Sequence, residues 1–202
     1  MASGTGIKRS FKFMSEINFS DITGVKIQEN DLILDQRGSF LKFFDKGSLG
    51  ILETEFTIRS MAAATTSEAG TVRGLHFQRS PYQEEKVVIC LRGEVVDVIV
   101  DLRSDSATLG QWAQISLSGD KPTTICLPKG IAHGYQTLTE DVTVLYGLSN
   151  LYSSPDAFSL NYRDSTLGIQ WPLPTRNISS KDLDGISLQE AIKLMQEEES
   201  NE

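Results

Sequence analysis

The chain has 202 residues, a formal net charge of -8, and apolar and charged fractions of 39% and 23%. That composition describes one domain with tails and enough length to bury a sizeable core. The acidic balance, without clustered Lys and Arg, argues against a nucleic-acid partner. No run approaches the roughly 20 apolar residues of a membrane span, and the N-terminus lacks the apolar stretch of a signal peptide. A cytoplasmic protein with no membrane partner is expected.

Residues 1–15 (MASGTGIKRSFKFMS) read as a flexible leader or a tag remnant. Residues 16–180 form the body. There, KFFD, EFTIRS, TVRGLHF, EKVVICL, EVVDVIVDL, QWAQISL, TTICLP, HGYQTL and VTVLYGL recur between Gly, Pro, Ser and Asp turn signals. Many short strands of this kind predict an all-β sandwich or barrel with short peripheral helices. Cys90 and Cys126 sit inside apolar runs, where a free buried thiol is the commoner reading than a disulfide in a reducing compartment. Residues 181–202 carry a C-terminal helix and an acidic tail. Leu188, Ala191, Ile192 and Met195 repeat at helical spacing, and Ser187 with Glu190 forms a capping box. The acidic end after Gln196 reads as frayed and solvated.

Two histidines, His76 and His133, are the whole complement. Gly70, His76, Gln78, Lys86 and Gly93 resemble the first cupin motif in spacing, while Pro128, Gly130 and His133 resemble the second. In that motif Gln78 replaces a histidine and Lys86 takes a glutamate position. A transition metal needs three or four N, O or S ligands, whereas this set keeps two histidines beside a lysine ammonium. A metal-free cupin jelly-roll barrel without cofactors is therefore expected. One chemistry suits those residues. A neutral imidazole removes a proton next to a ketone, and a nearby cation stabilises the enolate oxygen. The imidazole needs a carboxylate partner to fix its tautomer, and epimerisation needs an acid on the opposite face, a task a tyrosine can serve.

The stretch from about Asp35 to Pro172 resembles the dTDP-4-dehydrorhamnose 3,5-epimerase family. The resemblance is carried by RGLH, RGEVVDVIVDLR, PKGIAHG and DSTLGIQW, which stand in the family's order. It implies a catalytic base at His76, its aspartate partner at Asp164, an acid at Tyr146 and a lysine beside the enolate oxygen at Lys86. It implies that Arg37 and Arg73 grip the pyrophosphate of a nucleotide-sugar substrate, a task suited to the guanidinium fork, and that Gln78, His133 and Tyr152 complete the substrate pocket. It also implies a homodimer that exchanges N-terminal strands.

Bland readings compete with these roles. They are a structural barrel histidine at His76, an edge-strand charge at Lys86, plain core at Tyr146, a turn at Asp164, a fold support at His133 and a surface hairpin arginine at Arg37. Asp97 and Asp101 share one strand face, solvent-facing or behind the site, and stand outside the predicted set. The sequence also departs from the family pattern. Met61 and Ala63 replace Gln and Asn, and Lys42, Gly147, Asn161 and Tyr162 differ as well, so an altered substrate grip is expected. The competing function is a catalytically silent cupin that binds a sugar nucleotide.

Overall fold

The computed structural model describes residues 18–44 and 56–199. The predicted leader lies outside them, as do the last residues of the acidic tail. Two five-stranded antiparallel sheets make a jelly-roll barrel. One runs β1 (Lys26–Glu29), β9 (Thr123–Leu127), β6 (Lys86–Arg92), β11 (Val142–Leu148) and β4 (Ser60–Thr66). The other runs β12 (Ala157–Ser159), β5 (Val72–Gln78), β10 (Ile131–Thr137), β7 (Glu94–Asp101) and β8 (Trp112–Ser118). A separate hairpin joins β2 (Leu32–Asp35) to β3 (Gly38–Leu41). Two helices follow, α1 (Ser180–Leu183) and α2 (Leu188–Glu199).

Strand side chains alternate between faces, and that alternation decides what enters the barrel. On β7, Val95 and Ile99 join the internal core, while Val98 and Val100 pack outward beneath α2. Both faces of β7 are therefore buried, which is why EVVDVIVD reads as an almost unbroken apolar run. Leu188, Ala191, Ile192 and Met195 of α2 cover the outer face of this sheet with Leu75 and Phe77. The Ser187–Glu190 box caps that helix, with the Glu190 carboxylate accepting from Ser187 N at 2.9 Å and the Ser187 hydroxyl accepting from Glu190 N at 3.3 Å. Cys90 and Cys126 are free and buried. Burial pushes their thiols up to about 11 and about 12.

The same parity turns polar groups inward at one end of the barrel. Leu75 and Phe77 face α2, so His76 and Gln78 face inside; Ile131 and Tyr135 lie in the internal core, so His133 does too. His76 and His133 stand directly opposite each other on β5 and β10. Two glycines allow the strands to meet there. Gly74 has φ +106°, and a Cβ on it would lie 2.7 Å from the His133 carbonyl oxygen; one on Gly134 would lie 2.5 Å from that of Arg73. The glycines of RGLH and AHGY are thus packing requirements at the site's floor.

Candidate active site

The polar end of the barrel encloses a cavity of about 810 Å³, lined among others by Arg73, His76, Lys86, His133, Tyr146 and Asp182. Five of these are predicted site residues, from four different strands, and they share one space. A barrel interior achieves this because inward positions of neighbouring strands converge.

His76 is half-exposed to the cavity, and its Nε2 lies 2.7 Å from Oδ1 of Asp182, whose side chain is 4% exposed. Asp182 also accepts from the Ser159 hydroxyl at 2.8 Å and from Gly74 N at 3.3 Å. Burial alone would raise its carboxyl, but the hydrogen bonds and charge of His76, with the Ser159 hydroxyl, outweigh it and hold the group at about 2. Asp182 is therefore an anion aimed at the imidazole, placed by a single helical turn whose Ser179 hydroxyl accepts from Asp182 N at 3.2 Å. This corrects the sequence expectation, which gave the pairing to Asp164. Asp164 accepts instead from Thr166 N at 2.7 Å and Leu188 N at 2.9 Å. It closes its own turn and holds the start of α2, away from the cavity.

Lys86 begins β6, and its Nζ donates to the His76 carbonyl oxygen at 3.1 Å. The ammonium also lies 3.3 Å from Glu84, with both side chains at or below 10% exposed. Burial pushes Lys86 down, and the Glu84 carboxylate, followed by Asp97, pushes back. The edge-strand reading of an exposed charge does not fit. Tyr146 presents its ring edge-on to His133, with centroids 6.2 Å apart. Burial, then Tyr135 and Asp97, hold its phenol well above the usual range, so it stays protonated at neutral pH.

His133 is almost fully buried, and its Nε2 meets Oδ2 of Asp97 at 2.8 Å. Asp97 lies at the same inward parity as Val95 and Ile99 and is wholly buried, which overturns its solvent-facing reading. Burial raises its carboxyl, opposed by His133 and Lys86. Asp101 is equally buried but serves elsewhere, binding Arg103 at 2.7 Å and the Ser106 and Thr108 hydroxyls.

The remaining candidates divide. Arg73 lines the cavity and donates to Thr66 Oγ1 at 3.0 Å and the Thr65 carbonyl oxygen at 3.1 Å. Tyr152 is 68% exposed at the rim, with Lys181 Nζ 5.7 Å from its ring centroid. Gln78 lines the cavity, but its amide is engaged by protein. It donates to Tyr82 O, Leu151 O and the Glu84 carboxylate and accepts from Ser153 N. Arg37 does not line the cavity of its own chain. It lies in the β2–β3 turn, highly exposed and paired with Asp35 at 2.6 Å. Ala62 and Ala64 line the cavity while Met61 and Ala63 point to the other face of β4. Lys42, Gly147, Asn161 and Tyr162 lie outside it too. The expected change of grip is therefore not carried by the lining of this chain's own cavity.

The family model described as dTDP-4-dehydrorhamnose 3,5-epimerase matches residues 20–190. The chain belongs to that family. The dTDP-4-dehydrorhamnose 3,5-epimerase of Salmonella typhimurium is 35% identical over 174 residues, covering 85% of this chain and 94% of its own. Among solved structures, the Bacillus anthracis dTDP-4-dehydrorhamnose 3,5-epimerase with TDP and pyrophosphate bound has a TM-score of 0.77 at 36% identity, covering 86% of this chain and 98% of that one. A 3'-monoepimerase from Streptomyces bikiniensis in complex with dTDP-quinovose has a TM-score of 0.80 at 28% identity, covering 92% and 98%. The family match extends through α1, the turn that carries Asp182. Sequence reasoning passed over that aspartate because it assigned residues 181–202 to a helix and tail. Its one local signal, Ser179 followed by Asp182 at capping-box spacing, marks a helix start and nothing more.

Proposed function

We propose that the chain is an isomerase that epimerises a nucleotide-linked 4-keto-6-deoxy sugar, of the dTDP-4-dehydro-6-deoxyglucose type, at C3, C5 or both. The observation that carries this reading is the convergence of His76, backed by Asp182, with Lys86 and Tyr146 on one cavity. The His76 ring nitrogen that is not bonded to Asp182 takes the proton next to the ketone, and Asp182 stabilises the imidazolium that forms. Lys86 faces the developing enolate oxygen, where a preorganised cation in a poorly hydrated site is most effective. Tyr146 returns a proton from the opposite face, while Arg73 receives the diphosphate. The scheme needs no metal, because Lys86 supplies the cation; one tightly bound transition metal per chain in elemental analysis would overturn that part.

We further propose a homodimer. Ile33, Leu34 and Phe40 on the β2–β3 hairpin are 61%, 71% and 60% exposed, and an isolated two-stranded hairpin is marginal in water. A second copy covering it would also give Arg37 a ligand to hold, since its own cavity is out of reach. Light scattering that shows a monomer at micromolar concentration would refute this assembly.

The reaction is tested by incubating dTDP-4-keto-6-deoxyglucose with the protein in D₂O. Deuterium at C3, C5 or both is the expected result and counts the centres that turn over. Ligand bound without exchange at either carbon would instead make the chain a silent binding module.

A further inference from the structure

Lys86 is a cation in a poor place for one. Its side chain is 8% exposed, and burial favours the neutral amine. The charged and titratable groups that share its cavity or act on its charge include Glu84 on the loop before β6, His76 on β5, Asp97 on β7, His133 on β10, Tyr146 on β11 and Lys181 on α1. Asp97 is already committed to His133 at 2.8 Å, and Lys181 is a like charge. Glu84 alone in this set places a carboxylate oxygen 3.3 Å from the ammonium.

Glu84 is itself built in. It is 10% exposed, lines the cavity, and its other oxygen accepts from the Gln78 amide. That amide ties down Tyr82 O and Leu151 O and accepts from Ser153 N. The next residue, Glu85, donates its N–H to the Ser149 hydroxyl at 2.8 Å. The loop that carries Glu84 is therefore fixed against two others, and its carboxylate cannot drift from Lys86.

We propose that Glu84 is a positioning residue for the reaction, holding Lys86 in the cavity as a charged ammonium directed at the enolate oxygen. This rests on the epimerase reading and deepens it, because a neutral amine there would offer the oxyanion a weaker hydrogen bond and no positive charge. The Glu84 charge favours protonated Lys86, acting against the downward pressure of burial. Its own hydrogen bond from Gln78 keeps the carboxylate from turning to the substrate.

The test compares wild type, Glu84→Gln and Glu84→Asp. Two quantities are read: the pH dependence of kcat for deuterium exchange, and the Lys86 titration by NMR of lysine side-chain resonances, assigned with Lys86→Arg. Glu84→Gln is expected to move the alkaline limb of kcat and the Lys86 midpoint together, downward by a pH unit or more, while Glu84→Asp restores most of both. A merely structural Glu84 would lower the rate with neither midpoint moved, and that result overturns the proposal. Failure of the epimerase reading is distinguishable. Wild type would then show no exchange at any pH, while the Lys86 midpoint would still report on Glu84.

Discussion

Two histidine–aspartate pairs stand side by side, their histidines on adjacent strands of one sheet, with nearly equal lengths of 2.7 Å for His76–Asp182 and 2.8 Å for His133–Asp97. Their surroundings differ. The His76 side chain is 46% exposed and its partner arrives on a short C-terminal helix, whereas His133 is 4% exposed and its partner lies on the adjacent strand. The first pair can meet a substrate, and its aspartate is held low by favourable contacts. The second reaches the cavity wall with only 4% of its histidine exposed, and its aspartate is pushed up by burial. Equal chemistry at equal distance thus serves two ends, and access decides which pair can move a substrate proton.

The contrast can be broken most severely at the histidines. His76→Ala is expected to lower deuterium exchange on the order of 10³-fold while dTDP binding by calorimetry changes little, because Arg73 is untouched. His133→Ala should rank first in the other measurement. Removing one member of a buried pair costs about 3–5 kcal/mol, read by urea unfolding, and His76→Ala should cost clearly less because Asp182 keeps Ser159 and Gly74 N.

Tyr146→Phe sharpens the account of the two faces. With no acid opposite His76, the abstracted proton returns from the side it left. Exchange should therefore outlast inversion, and the ratio of deuterium incorporation to epimer formed should rise by on the order of 10²-fold. Equal losses of exchange and inversion would remove Tyr146 from its role.

The smallest expected effect concerns pH. Asp182 is held at about 2, below its ordinary 3.8, so its ionised form favours the folded state by up to about 2 kcal/mol. That contribution is complete above pH about 4 and is lost as pH falls through about 2. The stability lead of wild type over Asp182→Asn in urea should shrink across that window. A lead that stays constant would contradict the pairing.

The strand pattern carried most of the fold, because alternation and turn residues are local signals. α2 was equally legible from Leu188, Ala191, Ile192 and Met195, with its Ser187 cap. Those same rules reach the interior positions of His76, Lys86 and Tyr146 only through parity. They miss Asp97 because both faces of β7 are apolar and hide its direction. Asp182 was illegible for a different reason. α1 is a single turn, too short for any periodicity, and its aspartate meets His76 only through the folding of the chain's far end onto β5. The same blindness made Asp164 a plausible partner, since a turn aspartate and a catalytic one look alike in sequence. Arg37 stays unplaced within one chain because its hairpin forms a separate, exposed sheet that does not line the cavity.

The most direct measurement is therefore deuterium exchange into dTDP-4-keto-6-deoxyglucose by Asp182→Asn and Asp164→Asn, assayed side by side. Asp182→Asn is expected to slow exchange at least about 100-fold, while Asp164→Asn keeps the wild-type rate and loses about 1 kcal/mol of stability through its helix-end contacts. Slow exchange in Asp164→Asn with normal exchange in Asp182→Asn would contradict the assignment of the proton-moving pair.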